Sequence, residues 1–195
     1  MKKISRSMKT LAAGLGLAGF LALGSSLPAF AASSTPSVDI TGGTLAGANA
    51  ASFTDFGGIT LGGGSPQSST TTLSIDDVTD ATGTGDGWNV TLSMTQLTDT
   101  AVGSTYTIPT SAITLTTPFT VAQVGTTGSD ASGITQPVPS SALDSGSAVK
   151  LLSAPVNQGM GKYSFSGAVA TLTIPADTYA ATYQSDATVS LTTTP

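Results

Sequence analysis

Apolar and polar residues alternate most regularly over residues 88–95, where Trp88, Val90, Leu92 and Met94 take one side and Asn89, Thr91, Ser93 and Thr95 the other. A period of two places such sets on opposite faces of a strand, one packed and one wet. Residues 70–78 repeat the pattern, with Thr71, Leu73 and Ile75 set against Thr72 and Ser74. A turn region over residues 80–87 separates the two runs, so residues 69–97 read as a hairpin-like unit around which the chain is organised. Shorter strand candidates are residues 37–41, 105–108, 112–117, 119–124, 147–152, 163–165, 168–174 and 188–192, with two further pieces in 53–61 that meet at Gly57-Gly58. Residues 42–49 read as flexible, and residues 125–141, rich in Gly, Ser and Pro, as the mobile loop. The run Gly62-Gly63-Gly64 precedes no helix, so it is not a phosphate cradle.

Short strands separated by Gly, Pro, Asn, Asp and Ser, with no amphipathic helix after the leader, predict an all-β chain. The expected architecture is an antiparallel β-sandwich or barrel-like domain with Greek-key-type connections. One internal echo accompanies it. Residues 72–92 lie on residues 171–191 at an offset of 99, matching Leu73, Ile75, Val90 and Leu92 with Leu172, Ile174, Val189 and Leu191. Coincidental β patterning and a true repeat both account for that match.

The first 31 residues change the charge balance. Lys2, Lys3, Arg6 and Lys9 precede an apolar stretch over residues 11–23 and then Ala29-Phe30-Ala31, the pattern of a secretory signal peptide cleaved after Ala31. The expected organisation is a signal peptide, residues 1–31, and a single all-β domain, residues 32–195. That domain keeps two basic residues, Lys150 and Lys162, against eleven aspartates, for a net charge of −9. Two lysines form no basic stripe to neutralise phosphates, which argues against nucleic acid or anionic lipid as a partner. With no cysteine there is no disulfide, thiolate metal site or acylated lipoprotein cysteine. No apolar stretch follows the leader, so no membrane anchor is expected in the mature chain.

Candidate chemistry is sparse. Asp76, Asp77, Asp80 and Asp86 stand within eleven residues and would repel one another without solvent or a cation, which makes calcium the one cofactor to consider. Their spacing is not that of an EF-hand, and aspartate also favours turns for its own hydrogen bonding. Trp88, the lone tryptophan, offers a ring for ligand contact, but its alternation with Val90 and Leu92 places it in the core. Without His or Cys, and with no G-x-S-x-G, the chain is expected not to be an enzyme.

Two segments carry a resemblance. Val78-Thr79-Asp80-Ala81-Thr82-Gly83 precedes Gly87-Trp88-Asn89-Val90-Thr91-Leu92, and Ala187-Thr188-Val189-Ser190-Leu191 lies close to Pro195. Over residues 70–195 the chain resembles the WxL-domain proteins of Gram-positive cell surfaces. The first motif reads W-x-V in place of W-x-L, and Ala187 stands where the second would have its tryptophan. The resemblance implies an exported, non-catalytic cell-surface protein, held non-covalently to peptidoglycan or another cell-wall glycan. Other surface proteins, or copies of the chain in a self-assembling fibre or surface layer, are the alternative partners.

Overall fold

A computed structural model describes residues 36–125, 128, 130–136 and 141–193; the expected signal peptide lies outside them. Residues 36–39 fall in one unit and Ile40–Pro195 in another, which holds every strand. The strands are β1 (Leu45–Gly47), β2 (Ala51–Phe53), β3 (Gln67–Asp80), β4 (Trp88–Met94), β5 (Thr98–Asp99), β6 (Ile113–Thr117), β7 (Thr120–Gln123), β8 (Ser141–Ala142), β9 (Val149–Ala154), β10 (Gly161–Ile174), β11 (Tyr183–Gln184) and β12 (Ala187–Thr193). The one helical turn among the described residues is a 3₁₀ turn at Ala131–Gly133. The fold is all-β and antiparallel, as the alternation predicts.

The two longest strands build the larger sheet. β3 and β10 run antiparallel along their full length, from Gln67 opposite Ile174 to Asp80 opposite Gly161, with register shifts on either side of Phe165. β1 and β2 flank the other edge of β3; β6 and β7 flank β10, and β8 follows β6. A second sheet has the order β12-β4-β9, and β5 pairs with β11 in a third, two-stranded one. Leu73 and Ile75 from β3, Trp88, Val90 and Leu92 from β4, and Leu151 and Leu152 from β9 share one buried cluster with Tyr163 and Phe165 of β10. One face of each main sheet is thus drawn out of water, the dominant favourable contribution to folding.

β3 and β4 are not a hairpin. β3 lies in the larger sheet and β4 in the three-stranded one, so residues 81–87 carry the chain between sheets. Both strands direct their apolar face into the same core, and two strands of one hairpin would instead bury a common face of one sheet. The internal echo has a structural counterpart in one sheet only. In the three-stranded sheet its matched ends are neighbours, Val90 opposite Leu191 and Leu92 opposite Val189. In the larger sheet the matched residues do not pair: Leu73 lies opposite Ala168, and Leu172 opposite Ser69.

Local differences from the alternation have local causes. Residues 37–41 form no strand, and Val38 and Ile40 are 80% and 89% exposed. Residues 105–108 contribute only one bridge, Thr107 to Thr98. Residues 42–49, read as flexible, contain β1, whose Leu45 lies opposite Asp80. The described part of the expected mobile loop is held down: Ile134 is buried, Thr135 and Ser153 exchange backbone hydrogen bonds of 2.8 and 2.9 Å, and Gln136 donates to the Phe119 carbonyl at 2.7 Å. Two candidates, residues 163–165 and 168–174, are one strand, because β10 continues through its irregularity.

Candidate functional site

Trp88 is fully buried. Its ring lies 6.2 Å from Tyr163 and 6.3 Å from Phe165, the latter edge-on, and Phe165 meets Phe119 in the same manner at 6.4 Å. Its indole N–H donates to the Gly159 carbonyl at 3.0 Å, so the ring's polar edge is satisfied inside the protein. The glycine before it has a steric cause. At Gly87, φ is +75°, and a Cβ there would strike the Ala154 carbonyl oxygen and Pro155. The Gly-Trp pair therefore sets the entry of β4 into the core.

The four aspartates of the acidic turn do not converge. Asp76 is exposed on the outer face of β3, and Asp77 forms an ion pair of 3.0 Å with Lys162. Asp80 is buried, and its Oδ1 accepts from the Thr82 N–H at 3.0 Å and the Thr82 hydroxyl at 2.7 Å, the hydrogen bonding of an Asx turn. Asp86 is exposed. Among the described residues no group of three or more metal-ligating side chains stands close enough to hold an ion.

The outer face of the larger sheet is a field of hydroxyls. Thr70 lies opposite Thr171, which lies opposite Thr114; Ser68 faces Thr173; Ser52 faces Ser74. The Thr116 hydroxyl lies 3.0 Å from that of Thr171 and donates to the Val169 carbonyl at 3.2 Å. These positions follow from the period of two, which sends Leu73 and Ala170 inward and the hydroxyls outward. Charge enters only where β3 and β10 approach their Asp80–Gly161 end, at Asp76, Asp77 and Lys162.

A second polar and aromatic group surrounds the two-stranded sheet, and the alternation gives no hint of it. Tyr183 lies opposite Asp99, the Asp99 N–H donates to the Tyr106 carbonyl at 3.0 Å, and the Tyr183 hydroxyl donates to the Tyr179 carbonyl at 2.9 Å. Tyr106 and Tyr179 stack at 4.1 Å with planes 14° apart. The Ser104 hydroxyl and the Ala101 N–H hold the Asp99 carboxyl below the usual aspartate range. Burial raises the Tyr183 phenol above its ordinary value, and the charge of Asp99 adds to that. The only available signal was compositional: tyrosines at 106, 179 and 183 in a chain that is 6% aromatic.

A prediction follows for alkaline pH. The raised folded pKa of Tyr183 gives stability that is whole below the ordinary tyrosine value of 10.0 and is lost as pH rises through the higher folded one. Tyr183→Phe should remove this part of the alkaline loss when urea melts are compared across that window. An unchanged pH slope would contradict the assignment.

Residues 63–195, more than half of the chain, match the family model described as WxL domain surface cell wall-binding. No curated protein and no solved structure matches the chain. The match begins in the loop before β3 and takes in both segments of the echo, so the resemblance seen at Gly87-Trp88 extends over the two main sheets. The chain belongs to the WxL-domain family of cell-surface proteins, non-catalytic domains that associate non-covalently with the cell wall.

Proposed function

We propose that the wall component this domain holds is peptidoglycan, gripped by the hydroxyl face of the larger sheet. The supporting observation is the set of facing Ser and Thr residues, Ser68 with Thr173 and Thr70 with Thr171 and Thr114, free of charge at its centre. Glycan hydroxyl and amide groups match such a face, since each threonine both donates and accepts. A weak contact repeated along a polymer also gains by multivalency. Residues 32–195 should be retained on purified peptidoglycan, and the double variant Thr70→Arg with Thr171→Glu should be retained several-fold less. Opposite charges across that pair keep the sheet stable while long side chains cover the hydroxyls. No retention of the unaltered domain would overturn the reading.

A second reading, association between copies, is favoured by the edge position of β12, whose Val189 and Leu191 are only half-buried, together with the exposed Val38 and Ile40. Exposed edges and alternating apolar segments suit strand addition. Size-exclusion chromatography distinguishes the two: a monomer over a wide concentration range removes this second reading and leaves the first.

A further inference from the structure

We propose that Tyr106 and Tyr179, with Asp99 and Tyr183 beside them, form a sugar-stacking platform, a second contact point for the glycan strand. The inference rests on the peptidoglycan reading, and its test separates the two.

The argument begins with where the aromatic rings are. Trp88, Tyr163, Phe119 and Phe165 are buried, whereas Tyr106 and Tyr179 are 44% and 61% exposed and are the only exposed aromatics among the described residues. A core-building role explains the first set and not the second. Exposed tyrosine surface costs solvation without returning burial, yet here it is concentrated at one place.

The platform is also rigid. Tyr106 is carried by a segment whose ends are tied by the Asp99 N–H to the Tyr106 carbonyl at 3.0 Å and the Ile108 N–H to the Leu97 carbonyl at 3.0 Å. Tyr179 is tied through its carbonyl to the Tyr183 hydroxyl, and the Thr100 N–H donates to the Thr182 carbonyl at 2.9 Å. Stacking at 4.1 Å then fixes one ring against the other, and both residues stay exposed in the stacked arrangement. Rings held in place before a ligand arrives lose little conformational entropy when it binds.

The chemistry selects a saccharide. A pyranose presents an apolar C–H face and an equatorial rim of hydroxyls. The ring pair supplies an apolar, amphipathic surface for the face, and the phenol hydroxyls and the Asp99 carboxylate supply partners for the rim. No basic side chain belongs to this group, so an anionic ligand would have nothing to neutralise it.

The test uses residues 32–195 with two probes, purified insoluble peptidoglycan and soluble glycan-strand fragments cut from it. Tyr106→Leu and Tyr179→Leu, singly and together, keep apolar bulk and remove the ring face. The double variant should bind the fragments about tenfold more weakly, while Tyr106→Phe and Tyr179→Phe, which keep the ring face and lose only a hydroxyl, should fall between it and the unaltered chain. The emission of the buried Trp88 reports whether each variant keeps its core. A second measurement needs no variant: on adding fragments, the ring NMR signals of Tyr106 and Tyr179 should shift in the unaltered domain. Retention on peptidoglycan with unmoved tyrosine signals, or with leucine variants binding as tightly as the parent, overturns the platform and leaves the peptidoglycan reading standing. No retention of the parent domain overturns both.

Discussion

Trp88→Ala should cost about 3–5 kcal/mol of stability, the range for removing a fully buried tryptophan, and this out of a total of about 5–15 kcal/mol for a domain. The ring lies on β4 and touches Tyr163 and Phe165 on β10, so its loss opens a cavity between the two main sheets. It also leaves the Gly159 carbonyl without its donor. Urea melts followed by circular dichroism measure the loss, since the variant has no tryptophan to emit. Trp88→Phe should fall between, keeping much of the packing and losing the N–H bond. A loss under about 1 kcal/mol for the alanine variant would show that the ring is not the link between the sheets. Where the phenylalanine variant is folded, it should keep its retention on the wall, because a ring with no exposed surface has none to offer a ligand.

Asp144→Ala should come next in size. Asp144 is fully buried and accepts two backbone hydrogen bonds, from the Ser111 N–H at 2.8 Å and the Ala112 N–H at 3.0 Å. Ser111 has φ +72°, a left-handed backbone that costs a non-glycine residue about 1–2 kcal/mol and persists where its surroundings hold it. The carboxylate is what holds it, and it sets the direction in which the chain enters β6 at Ile113. Removing the side chain strands the buried Ala112 N–H at about 1–3 kcal/mol and leaves the Ser111 N–H, on an exposed residue, to solvent. Asp144→Asn keeps one acceptor oxygen and should lose roughly half as much. An alanine variant within about 0.5 kcal/mol of the parent would contradict this role.

Neither the fold class nor the main core needed coordinates. The period of two at residues 70–78 and 88–95 identifies β3 and β4 and the sides that Leu73, Ile75, Trp88, Val90 and Leu92 take. Pairing was not legible, because alternation specifies a face and says nothing about the neighbour. That is why β3 and β4 read as a hairpin although β3 lies against β10 and β4 against β12. The two-residue strands β5, β8 and β11 are too short to show a period at all. Asp144 carries no pattern either, since its role depends on N–H groups 32 and 33 residues away. The acidic turn read as one cluster because its aspartates are close in sequence, but the register irregularity between Ile75 and Val78 reverses the alternation and leaves Asp76 outward and Asp80 inward. The tyrosine pair was invisible for the converse reason, as Tyr106 and Tyr179 are distant in the chain and meet only through β5 and β11.

The β3–β10 ladder has a kinetic consequence. Every backbone bond between these strands joins residues about eighty to a hundred positions apart, and β4 likewise waits for β12. Closing loops of that length comes before any contact that rewards it, so collapse to the native sheets should take milliseconds to seconds. During ribosomal synthesis, a nascent chain that has not yet reached Gly161 can pair β3 only with the three-residue strands β1 and β2, and the larger sheet stays incomplete. A threading-competent state is thereby built into the topology, and completion of the sheets is deferred until about the last fifth of the polypeptide is free.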